Sequence, residues 1–379
     1  MIWTEPVDNK RRLRLFIDFP HKLYRRDNNY VPELFIAQRD LLTPGKHPFH
    51  EHSVMKLFLV YENNTLKGRI AAILNNNHNS FNQAADGFFG FFDCVDDADI
   101  AKTLFEEAAK WLREKGATTI IGPVNPSTNE PCGMLLDGFD SPPVAMMVYN
   151  KSYYNSLMNE WGFQKKMDLL AYHIDITQID DRSVRLQQTL LKRLQSKNIT
   201  IRPINMKEFK KEVAKVREVY NAAWDHNLGF VPMTDKEFNY LAKDLKNVLD
   251  PEFCMIAEHG DKLVGFALAI PDINQVLIKL KRGRLFPTGI FKLLTGLKKI
   301  NYVRVLALGV TEDYRKMGIE ACFYASMIVR GRQKKIKGAE ASWILEHNEL
   351  MNSGIESMNG KLYKKYRLYQ KSIANMEAA

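Results

Sequence analysis

The chain has 379 residues, 45% apolar and 26% charged, enough to bury two ordinary cores and without a bias toward disorder. No apolar run approaches the roughly 20 residues that cross a bilayer, and MIWTEPVDNKRR carries charge with no apolar stretch behind it, so a cytoplasmic protein is expected, with at most peripheral contact at the inner face of the membrane. Cys94, Cys132, Cys254 and Cys322 lie far apart without metal-ligand spacing, which argues against a zinc site or a disulfide framework and predicts buried thiols. The net charge of +10 is uneven: residues 1–180 hold 19 Lys/Arg against 23 Asp/Glu, and residues 181–379 hold 35 against 21. The basic second half points to an anionic partner.

In chain order, KLFLVYENNTLKGRIAAIL predicts a hairpin with Gly68 after its turn, and FFGFFD from Phe88 a further strand. Ile100, Leu104, Ala108, Trp111 and Leu112 then recur at helical spacing. TTIIGP predicts a strand, a short helix ends near Gly162, and MDLLAYHID predicts a last strand. The loop GPVNPSTNEPCGMLLDGFDSPP is long and dense in Gly, Pro and Asn, a composition often reserved for function. Asn125, Asn129 and Glu130 are its candidate substrate contacts. DDRSVRLQQTLLKRLQSKN reads as a polar connecting helix over residues 179–198, which divides the chain into domains 1–178 and 199–379.

The second half repeats the plan. FCMIAEHGDKLVGFALAI is a hairpin with Gly265, VRVLALGV the next strand, ACFYASMIVRGRQ a helix and ASWILE a strand. A short helix ends near Gly360 before the last strand, LYKKYRLYQK. Between VRVLALGV and its helix, YRKMGIE delivers Arg315, Lys316 and Gly318 to a helix N-terminus. Unpaired N–H groups and positive dipole there, beside basic side chains, make a phosphate-binding arrangement.

Strand–strand–strand–helix–strand–helix–strand with a basic turn after the third strand resembles the GNAT superfamily of acyl-CoA-dependent N-acyltransferases, twice over. The phrases GFFDC, GPVNPST, LLDGFDSPP, YNAAW, NLGFVP and KKYRLY resemble a group of bacterial tandem GNAT proteins. The implied fold class is α/β with α+β mixed sheets, two GNAT-like domains each built on a mainly antiparallel sheet flanked by helices. The resemblance implies acetyl-CoA or a longer acyl-CoA as donor, held by Leu308, Val310, Arg315, Lys316, Met317, Gly318, Ile319 and Glu320, with Asn348 on the pantetheine arm. Glu320 departs from the Gly or Ala of the family's pyrophosphate turn. A carboxylate there repels phosphate unless it points outward or pairs with Lys316 or Arg330. The first copy has Asp93, Asp96, Asp97 and Asp99 at the equivalent place, so one CoA per chain is expected.

The family's Tyr, four residues before the Gly that ends the last helix, is replaced by Glu356 and Met158. Tyr363 and Tyr366 are the candidate proton donors to the departing thiolate. Glu346, Asp225 and His226 are the candidate bases for the amine. Substrate selection in the superfamily lies largely in the loop between the first two helices, here WDHNLGFVPMT, with Trp224, Asn227 and Phe230 as candidate wall residues.

Residues 271–301 interrupt the plan. From Val276 to Arg304 there are eight Lys/Arg and no Asp or Glu, and Ile290, Leu293, Leu294 and Leu297 fall on one helical face with Lys292 and Lys298 away from it. Such a helix suits the surface of an anionic membrane, and so a lipid-linked amine as acceptor, sphingoid-base-like amines among the candidates. The leading expectation is therefore direct acyl transfer, in a ternary complex, to a small-molecule or lipid amine. Aminoacyl transfer from a charged tRNA and non-catalytic acyl-CoA binding are the alternatives. Nucleic acid is not the expected partner, because the tRNA-dependent transferases lack the pyrophosphate turn. No metal is expected.

Overall fold

A computed structural model describes residues 1–224 and 231–376. The first half runs β1 (Ile2–Pro6), α1 (Lys10–Leu23), α2 (Phe35–Leu41), β2 (Val54–Glu62), β3 (Thr65–Leu74), α3 (Asn76–Asn82), β4 (Asp86–Cys94), α4 (Ala98–Glu114), β5 (Thr119–Gly122), β6 (Met134–Asp137), α5 (Tyr154–Glu160) and β7 (Gln164–Asp175). The second runs α6 (Asp181–Gln195), β8 (Ile199–Pro203), α7 (Phe209–Trp224), α8 (Asp235–Lys246), β9 (Cys254–His259), β10 (Lys262–Pro271), α9 (Asn274–Leu277), α10 (Gly289–Leu297), β11 (Tyr302–Val310), α11 (Ile319–Gln333), β12 (Gly338–Leu345), α12 (Glu349–Ser357) and β13 (Lys361–Ser372). No helix among the described residues is long and apolar enough to cross a membrane. All four cysteines are buried.

Contacts group the chain into two compact units, neither of them one continuous segment. The first comprises Met1–Leu169, Asn274–Gly296 and the residues from Lys364 onward; the second comprises Leu170–Ile273 and Leu297–Tyr363. In the first unit the strand order is β1-β2-β3-β4-β5-β13, with β6 also on β13. In the second it is β8-β9-β10-β11-β12-β7. Each sheet contains a parallel pair, β4 with β5 and β11 with β12, in the same place in the order. The strand that ends each half is traded: Tyr172 and Ile174 of β7 join the second unit's core, and Tyr369 of β13, with Ile373 just after it, joins the first unit's. A strand with one buried face pairs wherever that face is best covered, and sequence order does not decide that.

Local chemistry accounts for the main helices. Asp97 caps α4 by accepting from the N–H groups of Asp99 and Ile100, and Ile100, Ala101, Leu104, Phe105, Ala108, Ala109 and Leu112 all face the core. Thr234 and Glu237 form a capping box at α8. Helix α6 packs on α11, with Gln187 Nε2 donating to Ser326 Oγ at 2.8 Å.

Both parallel pairs are bent open by a bulge on the earlier strand. On β4, Arg69 opposes Asp93 while Ala71 opposes Gly90, one residue more on β4 than on β3. On β11, Leu268 opposes Ala307 and Ala269 opposes Val305, which leaves Leu306 extra. In the first unit the resulting gap is filled. After Phe88–Ile121, β4 and β5 part, and the loop that follows enters between them: Val124 N–H donates to Phe89 O at 2.8 Å, and Asn125 Oδ1 accepts from Phe91 N–H at 2.7 Å. A Cβ on Gly90 would lie 1.8 Å from Val124 O, so only glycine admits this plug. Asp93 is buried and paired with Arg69 at 2.8 Å, while Tyr24 and Tyr154 donate to its other oxygen at 3.1 and 3.2 Å. Gly90→Ala is expected to destabilise the protein by about 3 kcal/mol through overpacking against backbone, read as a lowered denaturant midpoint, whereas the same change at Gly354, inside α12 with nothing within 4 Å, is expected to stabilise it by up to about 1 kcal/mol.

Candidate functional site

In the second unit the equivalent gap is open. Strands β11 and β12 pair from Tyr302–Gly338 to Val305–Ala341 and then separate, although β11 continues to Val310 and β12 to Leu345. A cleft of about 780 Å³ occupies the space, lined by both strands, by Arg315, Glu320 and Tyr324 beside and on α11, by Asn348 and Met351 at the start of α12, and by Gln187 and Leu190 of α6. Thr311 N–H donates to Val264 O at 2.9 Å, and the β10–β11 register pairs Leu308 with Ala267 and Val310 with Gly265. By the alternation of an antiparallel ladder, the N–H and C=O groups of Leu308 and Val310 therefore point away from β10, into the cleft. β12 has moved out of their reach. Val310 O accepts from Arg315 Nε at 3.4 Å; the other backbone groups need a partner, and a bound chain with amide groups of its own supplies one.

The cleft ends at the turn the sequence singled out. Gly318 takes the N-cap position of α11 at φ +93°, a left-handed conformation that favours glycine, and no side chain caps the helix. The first-turn N–H groups therefore keep their capacity for an anion. Arg315 is exposed beside them, with its Nε 3.4 Å from Val310 O. Lys316 is exposed, Met317 packs against the second unit's core and Ile319 is fully buried. Glu320 lines the cleft and pairs with neither Lys316 nor Arg330 among the described residues. Burial, and secondarily the Glu320 charge, pushes the Tyr324 phenol up to about 12, so it stays protonated, and it donates to Met351 Sδ at 3.3 Å. Asn348 caps α12, accepting from Met351 N–H at 3.1 Å.

One polar cluster in this region escaped the sequence reading. Arg304 and Glu340 stand opposite each other in the β11–β12 register, 1% and 0% exposed. Arg304 Nε donates to Ser342 Oγ at 3.0 Å, Ser342 Oγ donates to Glu340 Oε1, and Tyr363 Oη donates to Glu340 Oε2. Ser342 and Trp343 both line the cleft. The Trp343 indole N–H is buried without an acceptor among the described residues, and the Arg304 guanidinium lies 5.0 Å from its ring centroid. The signal available in the sequence was a Glu inside the apolar run GAEASWIL and an Arg inside YVRVLALGV, since charges in buried strands are placed for a reason other than stability.

The other candidates fall as follows. Tyr363 is committed to Glu340, and Tyr366, read as an alternative proton donor, is fully buried in the first unit. Glu346 lies just past β12, and its carbonyl accepts from Asn352 Nδ2 at 3.3 Å. Asn125 is spent on the plug in the first unit, where Glu130 accepts from Ser127 Oγ and Asn129 N–H donates to that hydroxyl at 3.1 Å. Trp224 ends α7. Asp225, His226, Asn227 and Phe230 lie outside the described residues.

No protein-family model matches the chain. It is 35% identical over 374 residues to Protein YghO of Escherichia coli K12, covering 96% of this chain and 94% of that one. It is 33% identical over 375 residues to the bacterial ceramide synthase of Caulobacter vibrioides, covering 97% of each. Among solved structures it matches a tandem GNAT protein from the clavulanic acid biosynthesis pathway over the full length of both chains, with a TM-score of 0.58 and 11% identity. It also matches a probable N-acyltransferase from Enterococcus faecalis V583 at a TM-score of 0.52 and 8% identity, over 99% of this chain and 73% of that one. With two bent-open parallel pairs in one repeated strand order the chain has the tandem GNAT fold, and with full-length relatives above 30% identity it belongs to the family of Protein YghO and the Caulobacter bacterial ceramide synthase.

Proposed function

We propose that this protein transfers an acyl group from an acyl-CoA to the amine of a long-chain, sphingoid-type lipid base, with the chemistry in the second unit. The observation that carries the reading is the open β11–β12 cleft running to an uncapped, basic helix N-terminus. The full-length likeness to a bacterial ceramide synthase supports a lipid amine as acceptor.

The chain's own groups fit such a donor. Arg315 and the first-turn N–H groups of α11 hold the phosphates, and Leu308 and Val310 offer backbone pairing to the amide-bearing arm. In the reaction a C–N bond forms as the C–S bond breaks, and the thiolate, a fair leaving group, departs. The amine must surrender a proton. Ser342 Oγ lines the cleft and already donates to Glu340, so it relays that proton to a buried carboxylate kept in place by Tyr363. Glu320, on the lining of the cleft, adds negative charge that favours an approaching ammonium.

Calorimetric titration with acetyl-CoA and with a long-chain acyl-CoA tests the donor site. Arg315→Ala is expected to weaken binding about tenfold, the worth of a charge-assisted hydrogen bond, and Gly318→Val to weaken it further by straining the cap. If neither thioester binds the wild-type protein, the acyl-CoA reading is wrong. Glu340→Gln keeps the shape of the site and removes the proton acceptor. Turnover of a sphingoid amine should fall by about 10² or more with KM little changed, and the remaining rate should keep rising with pH as free amine replaces ammonium. A variant that matches wild type at every pH removes Glu340 from the mechanism.

A further inference from the structure

The basic insertion places an exposed apolar ridge beside a cationic hollow on the first unit. Residues 281–284 are held rigidly there. A Cβ on Gly283 would lie 1.8 Å from Glu33 O, so the loop is pressed onto backbone, and Arg284 sits 3.3 Å from the centre of the Phe35 ring while donating to Asp18 at 2.9 and 3.1 Å. Behind it, Val276, Leu277 and Leu280 are buried, and Asn274 Nδ2 donates to Pro143 O at 2.9 Å. Helix α10 is seated on this base through Gly296, where Val276 closes to 2.7 Å of a built Cβ.

The apolar residues of α10 divide between two sides, contrary to the single face read from the sequence. Ile290 and Leu293 are half-buried, while Phe291 is 68% and Leu294 58% exposed. Phe286, just before the helix, is 76% exposed. Beside this ridge lies a hollow of about 360 Å³ whose charged lining residues are Arg14, Lys281, Arg282, Arg284 and Lys292, with no carboxylate among them. Asp18, the nearby acid, is already shared by Arg284 and Arg14.

We infer that this surface docks on a bilayer of anionic phospholipid, with Phe286, Phe291 and Leu294 entering the acyl boundary and the cationic hollow taking a phosphate headgroup. Aromatic and aliphatic tips on a fixed support, rimmed by cations, match the two layers of a lipid surface: apolar below, anionic phosphate above. A pinned loop pays little ordering entropy on contact. The inference does not depend on the acyl-transfer reading, because none of these residues lines the β11–β12 cleft.

The test is sedimentation of the full chain with vesicles of phosphatidylglycerol and phosphatidylcholine, compared with phosphatidylcholine alone. Wild type should partition onto the anionic vesicles and lose most of that binding as salt is raised. A Lys281→Glu, Arg282→Glu, Lys292→Glu triple variant should bind at least about a hundredfold more weakly, given roughly fivefold per basic residue near a charged surface. A Phe286→Ser, Phe291→Ser, Leu294→Ser variant should lose binding at every salt concentration. All six side chains are exposed, so unchanged thermal midpoints confirm intact folding. Equal binding to both vesicle types, or variants that bind like wild type, would overturn the inference. So would binding of a random RNA oligomer that the charge variant abolishes while vesicles bind no protein.

Discussion

The structure depends on one backbone constraint, the extra residue at Leu306 that bends β11 away from β12. A parallel pair that stops at Val305–Ala341 leaves several residues on each strand with polar groups facing a gap. Leaving such groups unpaired costs on the order of 1–3 kcal/mol each if they are buried, so the gap must be filled by protein, by water or by a ligand. Everything distinctive about the second unit follows from its not being filled by protein: the cleft, the approach to α11 and the exposure of Ser342 and Trp343 to it.

The first unit carries the same bulge and solves the same problem with its own chain. Val124 and Asn125 pair with Phe89 and Phe91, and Gly90 makes room for them. The helix cap diverges in step. Asp97 closes α4 with a carboxylate, where α11 begins at an uncapped Gly318 with Arg315 and Lys316 before it. An anion is repelled by the first arrangement and attracted by the second. Two copies of one plan have thus separated into a self-filled unit and an open one, and the charge imbalance between the halves runs in the same direction.

Arg304 and Glu340 make the open unit costly to build. Removing two charges from water costs several kcal/mol per ion, and apolar residues at the same strand positions would pack at least as well. Their hydrogen bonds through Ser342 and Tyr363 offset part of that penalty and bring a carboxylate next to the place where β11 and β12 part. A buried carboxylate at that place is where the proposed reaction needs its proton acceptor.

The repeated plan, the helix and strand types and the basic turn before α11 are legible in the residues alone, because periodicity, caps and the run Arg315 to Gly318 are local in their physics: 3.6- and 2-residue spacing and the orphaned N–H groups of one helix end. The sequence also carried the basic insertion, and the Asp run that opens the fourth helix of the first copy. Which strand closes which sheet, that Asn125 plugs a gap, that Tyr363 serves Glu340 while Tyr366 is core, and that Phe291 faces outward were decided only in the folded chain. Each of those depends on a contact between residues distant in sequence or on which side of an element its neighbours leave uncovered, and no spacing rule records either.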